Sequence, residues 1–215
     1  MILYWFLLLL IAMVAYGLGS MSTLVIASNY VFRTSLRSLG HGSLWISNFR
    51  RIYGVFGWIK LLLVELIKDS LPILFGSLLL GFKGHADVGR AFAGLCVVLG
   101  RLYPLFYDFK GSHATLCLAV TGLWISPSIG IATALFALGA VLVTKYVSLA
   151  TLISTVIFVV VSALMADDAL VQKLLFISAG LVFFKHIPAI SRLVGGREEK
   201  LSFVEDLTYK LDQKF

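Results

Sequence analysis

Residues 40–51, Gly-His-Gly-Ser-Leu-Trp-Ile-Ser-Asn-Phe-Arg-Arg, bring together two glycines, two hydroxyls, one amide and two guanidinium groups. Glycines let a backbone turn its N–H groups toward an anion, and a guanidinium grips a phosphate through two parallel hydrogen bonds. An ordinary basic loop has a similar composition. Composition alone favours that loop, and Ser47 and Asn48 beside Arg50 and Arg51 shift the balance toward a phosphate site.

Three other stretches carry polar groups into apolar surroundings. In the stretch 100–111, Arg101 sits inside a hydrophobic run, where a charge is costly and faces a polar cavity or partner, or snorkels to the nearer surface. Lys110, followed by Gly111, Ser112 and His113, either extends the anion-binding surface or anchors a helix end at the interface. Ser148 follows Tyr146 and Val147, and His186 follows Lys185 with Arg192 beyond it. A serine or a histidine alone is weak evidence, since a membrane helix uses both for packing and backbone hydrogen bonds. Glu65 and Lys68 stand three residues apart, the spacing of a same-face ion pair. Cys96 and Cys117 are isolated in apolar runs without ligand spacing, so neither a metal nor a cofactor is implied.

The elements that must position these groups are membrane helices. The chain has 215 residues, 60% of them hydrophobic and 13% charged, with mean hydropathy +0.97. Soluble domains are nearer half apolar and a quarter charged, so an integral membrane protein with a single domain over 1–215 is expected. The net charge of +7 suits membrane orientation better than a nucleic-acid partner.

The apolar runs predict an all-α polytopic protein with seven transmembrane helices, over 2–18, 52–82, 91–106, 115–125, 128–143, 147–165 and 169–184. The run 2–18 lacks a basic leader and reads as a retained first helix. Residues 21–32 are too short and too polar to span and predict a re-entrant or interfacial helix. The second run is too long for one upright crossing, so its first part lies at the interface, the crossing falls nearer 67–80, and Pro72 kinks it. Residues 185–215 alternate charge with apolar residues, as a cytoplasmic amphipathic tail does.

Seven crossings put the termini on opposite sides. With the N-terminus outside, the inner segments hold twelve basic residues against three outside, an N-out, C-in arrangement. The stretch 40–51, Lys110, Ser148 and His186 then share the cytoplasmic face.

With the motifs in this order, the chain resembles the bacterial acyl-phosphate:glycerol-3-phosphate acyltransferases, the PlsY family. The resemblance covers nearly the whole chain: Gly19-Ser20, residues 40–51, Glu65-x-x-Lys68, residues 100–111, residues 144–150 and residues 185–198. It implies a seven-helix enzyme of the bacterial inner membrane with a cytoplasmic site, acyl phosphate as donor and a phosphorylated acceptor. It implies that Asn48, Arg51 and Lys110 hold phosphates and that Ser148 and His186 orient the acceptor, with Ser43, Ser47 and Arg192 completing the site. Its chemistry needs no Ser-His-Asp triad, because the donor's own phosphate helps take the proton.

Several family positions differ here. His41 and Ser43 replace a serine and an asparagine, Trp45 a glycine, Arg101 a histidine, Ile187 an arginine and Ala189 an asparagine. The loop 111–115 is shortened and loses a lysine. These changes motivate an alternative: a catalytically impaired relative acting as a lipid-binding or structural subunit of a membrane complex. A small transporter ranks below both, because the polar groups gather at one face and the halves show no repeat.

Overall fold

A computed structural model describes the backbone of residues 2–23, 46–109, 111 and 113–198, and their side chains except those of 46–55, 58 and 107. Among the described residues the protein is all helical: α1 (Ile2–Ser20), α2 (Ile46–Gly81), α3 (Ala86–Leu102), a 3-10 turn (Leu105–Tyr107), α4 (Thr115–Ile125), α5 (Pro127–Thr144), α6 (Val147–Met165) and α7 (Ala169–Val194).

Local chemistry fixes the ends of these helices. Tyr103 precedes Pro104, whose ring pushes the residue before it out of helical geometry, so α3 stops at Leu102 although the apolar run continues to 106. Pro127 starts α5 at a position where a missing N–H costs nothing. Lys145 then adopts a left-handed conformation, φ 62°, and turns the chain into α6. Asp168 caps α7 by accepting from the amides of Leu170 at 2.6 Å and Val171 at 3.2 Å.

Helix α3 is the hub, packing against α1, α2, α4 and α7. It can do so because small residues face each neighbour. A Cβ on Gly76 of α2 would meet the Gly89 carbonyl of α3 at 2.5 Å, and one on Gly100 would meet the Tyr16 carbonyl of α1 at the same distance. Backbones this close need glycine on the contact line. By contrast, α1 and α5 are little buried within the bundle and carry a mean hydropathy of 2.2 and 1.9, as lipid-facing helices do.

The expected architecture needs correction in three places. Four helices, α1, α5, α6 and α7, have both the length and the hydropathy of a membrane span. α2 carries Glu65, Lys68 and Asp69 within its apolar stretch, α3 has 17 residues, and α4, with 11 residues, reaches only about 16 Å against a hydrocarbon core of about 30 Å. α2 is one helix of 36 residues beginning at Ile46, so Ser47, Asn48 and Arg51 lie on helix and not in a loop. α7 continues through Lys185 and Pro188 to Val194, where the sequence pattern ended it at 184. Charge begins before the helix ends, and Ala189 beyond Pro188 is still buried, so packing carries the helix on. The helix expected over 21–32 falls almost wholly outside the described residues.

Candidate anion-binding site at one end of the bundle

One end of the bundle gathers the C-terminal ends of α3 and α7 and the N-terminal ends of α4 and α6. Ser148, the second residue of α6, is buried and begins a stripe of hydroxyls continued by Thr151, Thr155 and Ser162. Thr115 at the start of α4 donates to Thr151 at 2.7 Å, tying the two helix ends together. Just before α4 the chain passes Gly111, whose position against the carbonyls of Arg101 and Leu102 leaves no room for a side chain. That close approach brings His113 over Ser148.

Five side chains meet there. His113 Nε2 lies 3.2 Å from Ser148 Oγ, and the rings of His113 and His186 are 5.0 Å apart at 45°. Ser148 donates to Oε1 of Glu198, and Arg192 Nε donates to Oε2 of the same carboxylate at 2.7 Å. His186 donates its Nδ1 proton to the Val182 carbonyl one turn earlier, at 2.8 Å. In a neutral ring this leaves Nε2 with the lone pair.

Electrostatics follow from this packing. Burial, reinforced by the nearby His186, pushes His113 down to about 4, so its ring is neutral near neutral pH. Burial works against ionisation of Glu198, but the hydrogen bonds from Ser148 and Arg192 outweigh it and hold the carboxyl below its ordinary value.

The arrangement directs donors at one negatively charged group and forms no acid–histidine–serine relay. In a catalytic triad the acid orients the histidine, whereas here the carboxylate takes the serine's proton directly. What remains is a hydroxyl and a guanidinium converging on one negatively charged group, flanked by two imidazoles.

Of the residues expected from sequence, Ser148, His186 and Arg192 therefore share one neighbourhood. Asn48, Ser47 and Arg51 lie on the first turns of α2 with undescribed side chains, and Ser43 and Lys110 lie outside the described residues. Two members of the cluster were not assigned to the site from sequence. His113 follows the Lys110 stretch, and Glu198 is the last acidic position of the final motif, three residues after Gly195.

Packed inside this cluster, at the last turn of α3, a more buried polar layer has a different character. Glu65 of α2 pairs with Arg101 of α3, whose Nη1 also reaches Thr23 Oγ1 at 3.4 Å. Lys68 stands 3.2 Å from Asp69 and donates to the Met21 carbonyl at 3.1 Å. The Cys117 thiol donates to Asp69 at 3.1 Å. The expected Glu65–Lys68 pair is thus replaced, because neighbouring helices and chain offer each charge its own partner. Arg101 faces a partner and does not snorkel. The opposite end is closed by Arg90, which binds Asp87 at 2.7 Å, Ser77 at 3.0 Å and the Trp124 carbonyl at 3.2 Å.

Comparison with known proteins adds an independent line. The profile of the glycerol-3-phosphate acyltransferase family matches residues 9–196. The glycerol-3-phosphate acyltransferase of Paraburkholderia xenovorans is 31% identical over 193 residues, 90% of each chain. That of Thermoanaerobacter pseudethanolicus is 28% identical over 192 residues, 89% of this chain and 94% of the relative. The crystal structure of PlsY, an integral membrane glycerol 3-phosphate acyltransferase, in its glycerol 3-phosphate form superposes with a TM-score of 0.73 at 25% identity, covering 97% of this chain and 98% of that one. Its lysophosphatidic acid form gives 0.74 at 26% identity, covering 94% and 98%.

Proposed function

This chain belongs to the glycerol-3-phosphate acyltransferase family, and from that premise we propose that it transfers a fatty acyl group from acyl phosphate to glycerol 3-phosphate or a related phosphorylated acceptor in phospholipid synthesis. An acceptor hydroxyl attacks the acyl carbonyl carbon. The new C–O ester bond forms as the carbonyl–oxygen bond of the mixed anhydride breaks, and the departing phosphate carries away the proton. No side chain has to become a covalent intermediate. The protein's task is to hold two anions side by side and stabilise charge as it develops.

The observation that carries this reading is the convergence of Ser148 and Arg192 on one carboxylate, beside His186. Donors that satisfy a carboxylate also suit a phosphate oxygen. In this assignment Ser148 and His186 orient the acceptor and Arg192 meets its phosphate. Asn48, Arg51 and Lys110 hold the donor and acceptor phosphates, and Ser43 and Ser47 add hydroxyls to the same surface. The whole chain acts as one membrane domain.

The site faces the cytoplasm from a bacterial inner membrane, with the N-terminus outside. Twelve basic residues on one side against three on the other support that orientation. Lys145, Lys185, Arg192 and Arg197 lie at the same end as Ser148, and Lys83, Arg90 and Lys173 at the opposite end. A purely structural subunit is the weaker reading, because three retained polar residues stay together around one anion.

Purified protein in mild detergent, given acyl phosphate and glycerol 3-phosphate, is expected to yield lysophosphatidic acid and inorganic phosphate. No product in parallel with an active relative removes this substrate pair.

A further inference from the structure

We infer that His113 is a positioning residue for the acceptor, holding the Ser148 oxygen so that it presents a lone pair to a hydroxyl of glycerol 3-phosphate. The inference rests on the reaction proposed above and assigns a role to a side chain outside the expected site.

A serine hydroxyl has one proton and two lone pairs. The proton of Ser148 goes to Glu198, an ionised carboxylate that can only accept. The contact to His113 at 3.2 Å therefore has the ring donating, which puts the proton of the neutral imidazole on Nε2. Proton and first lone pair are then both committed in fixed directions, and the direction of the second lone pair is fixed with them. An acceptor hydroxyl that donates to it is held as a nucleophile with its own oxygen lone pairs turned elsewhere.

The surroundings favour this role over simple packing. Gly111, two residues before His113, is pressed against the end of α3, and the His113 ring lies against that of His186. The charged and titratable groups around it are His186, Glu198, Arg101 and Arg192. A neutral donor in such a place directs a hydroxyl without adding a charge that would compete with Arg192 for the substrate phosphate.

The test measures KM for each substrate separately in wild type, His113→Phe and His113→Gln, with thermal unfolding in detergent as the folding check. His113→Phe keeps the ring volume and loses the donor. It is expected to raise KM for glycerol 3-phosphate by about two- to tenfold, the worth of one neutral hydrogen bond, with KM for acyl phosphate unchanged. His113→Gln restores an N–H donor and is expected to bring KM back toward wild type. Should His113→Phe fail to extract as a folded protein, His113→Ala carries the same measurement. Adding Ser148→Ala to either variant is expected to give less than the sum of the two effects, because one residue works through the other. An unchanged KM for glycerol 3-phosphate, equal rises for both substrates, absence of rescue by glutamine, or full additivity with Ser148→Ala overturns the inference. A wild-type protein without activity on this pair overturns the reaction itself, which is a different result.

Discussion

The molecule contains two polar layers built from the same kinds of side chain and used in opposite ways. In the deep layer Glu65, Lys68 and Asp69 are buried and Arg101 nearly so, with opposite charges set beside one another. At the bundle end Arg192 is half exposed, and the Glu198 carboxylate is shared between a serine and an arginine. Charges that neutralise one another inside a bundle hold helices in register. Donors that converge near the surface stay within reach of a substrate. Under the proposed function the first layer is scaffold and the second is recognition.

The largest effect is expected from breaking the deep layer. Glu65→Leu leaves the Arg101 guanidinium without its partner, at a cost of about 3–5 kcal/mol. Thermal unfolding in detergent checks this, and adding Arg101→Leu should recover most of the loss, since the second charge is then gone as well. Next is Ser148→Ala, which removes the oxygen that positions the acceptor hydroxyl, so kcat/KM with glycerol 3-phosphate should fall roughly tenfold, the worth of about 1.5 kcal/mol of hydrogen bonding. Steady-state kinetics with both substrates measure it.

The pH dependence of stability gives a smaller signal with a defined sign. His113 is lowered from 6.5 to about 4, so the folded state binds fewer protons than the unfolded one. Its contribution is fully present above pH 6.5 and is lost as pH falls from there toward 4. His113→Gln should flatten the unfolding curve in that window and leave it unchanged above. Smallest is the Arg192–Glu198 pair, a partly exposed contact worth about 0–1 kcal/mol. Because the Glu198 carboxyl is held below 4.5, its contribution stands above that pH and disappears below it. Glu198→Gln should remove this acid-side change in the unfolding midpoint while barely moving it at neutral pH.

Much of this organisation was legible in the residues. Two helices have the boundaries that the apolar runs predict, Thr115–Ile125 and Val147–Met165, because prolines or polar turns punctuate both ends. Ser148, His186 and Arg192 were found from their motifs, which lie on separate helices that the fold brings to one end. The misses have physical causes. Hydropathy reports composition and not hydrogen bonding, so it ran α3 past the Tyr103–Pro104 stop and ended α7 where charges begin. Glu65 pairs with Arg101, 36 residues away, and Lys68 turns to the adjacent Asp69 and to the Met21 carbonyl 47 residues back, neither of which the i,i+3 spacing foresees. His113 gave only a weak signal, since its meaning depends on Gly111 packing against the end of α3.

The central claim is that recognition belongs to the outer layer and not to the deep one. Measuring KM for glycerol 3-phosphate side by side in Ser148→Ala and Glu65→Leu, at a temperature where both are folded, tests it most directly. KM should rise in Ser148→Ala with its unfolding midpoint near wild type, and stay near wild type in Glu65→Leu although that midpoint drops. A raised KM in Glu65→Leu together with wild-type kinetics in Ser148→Ala would contradict the account.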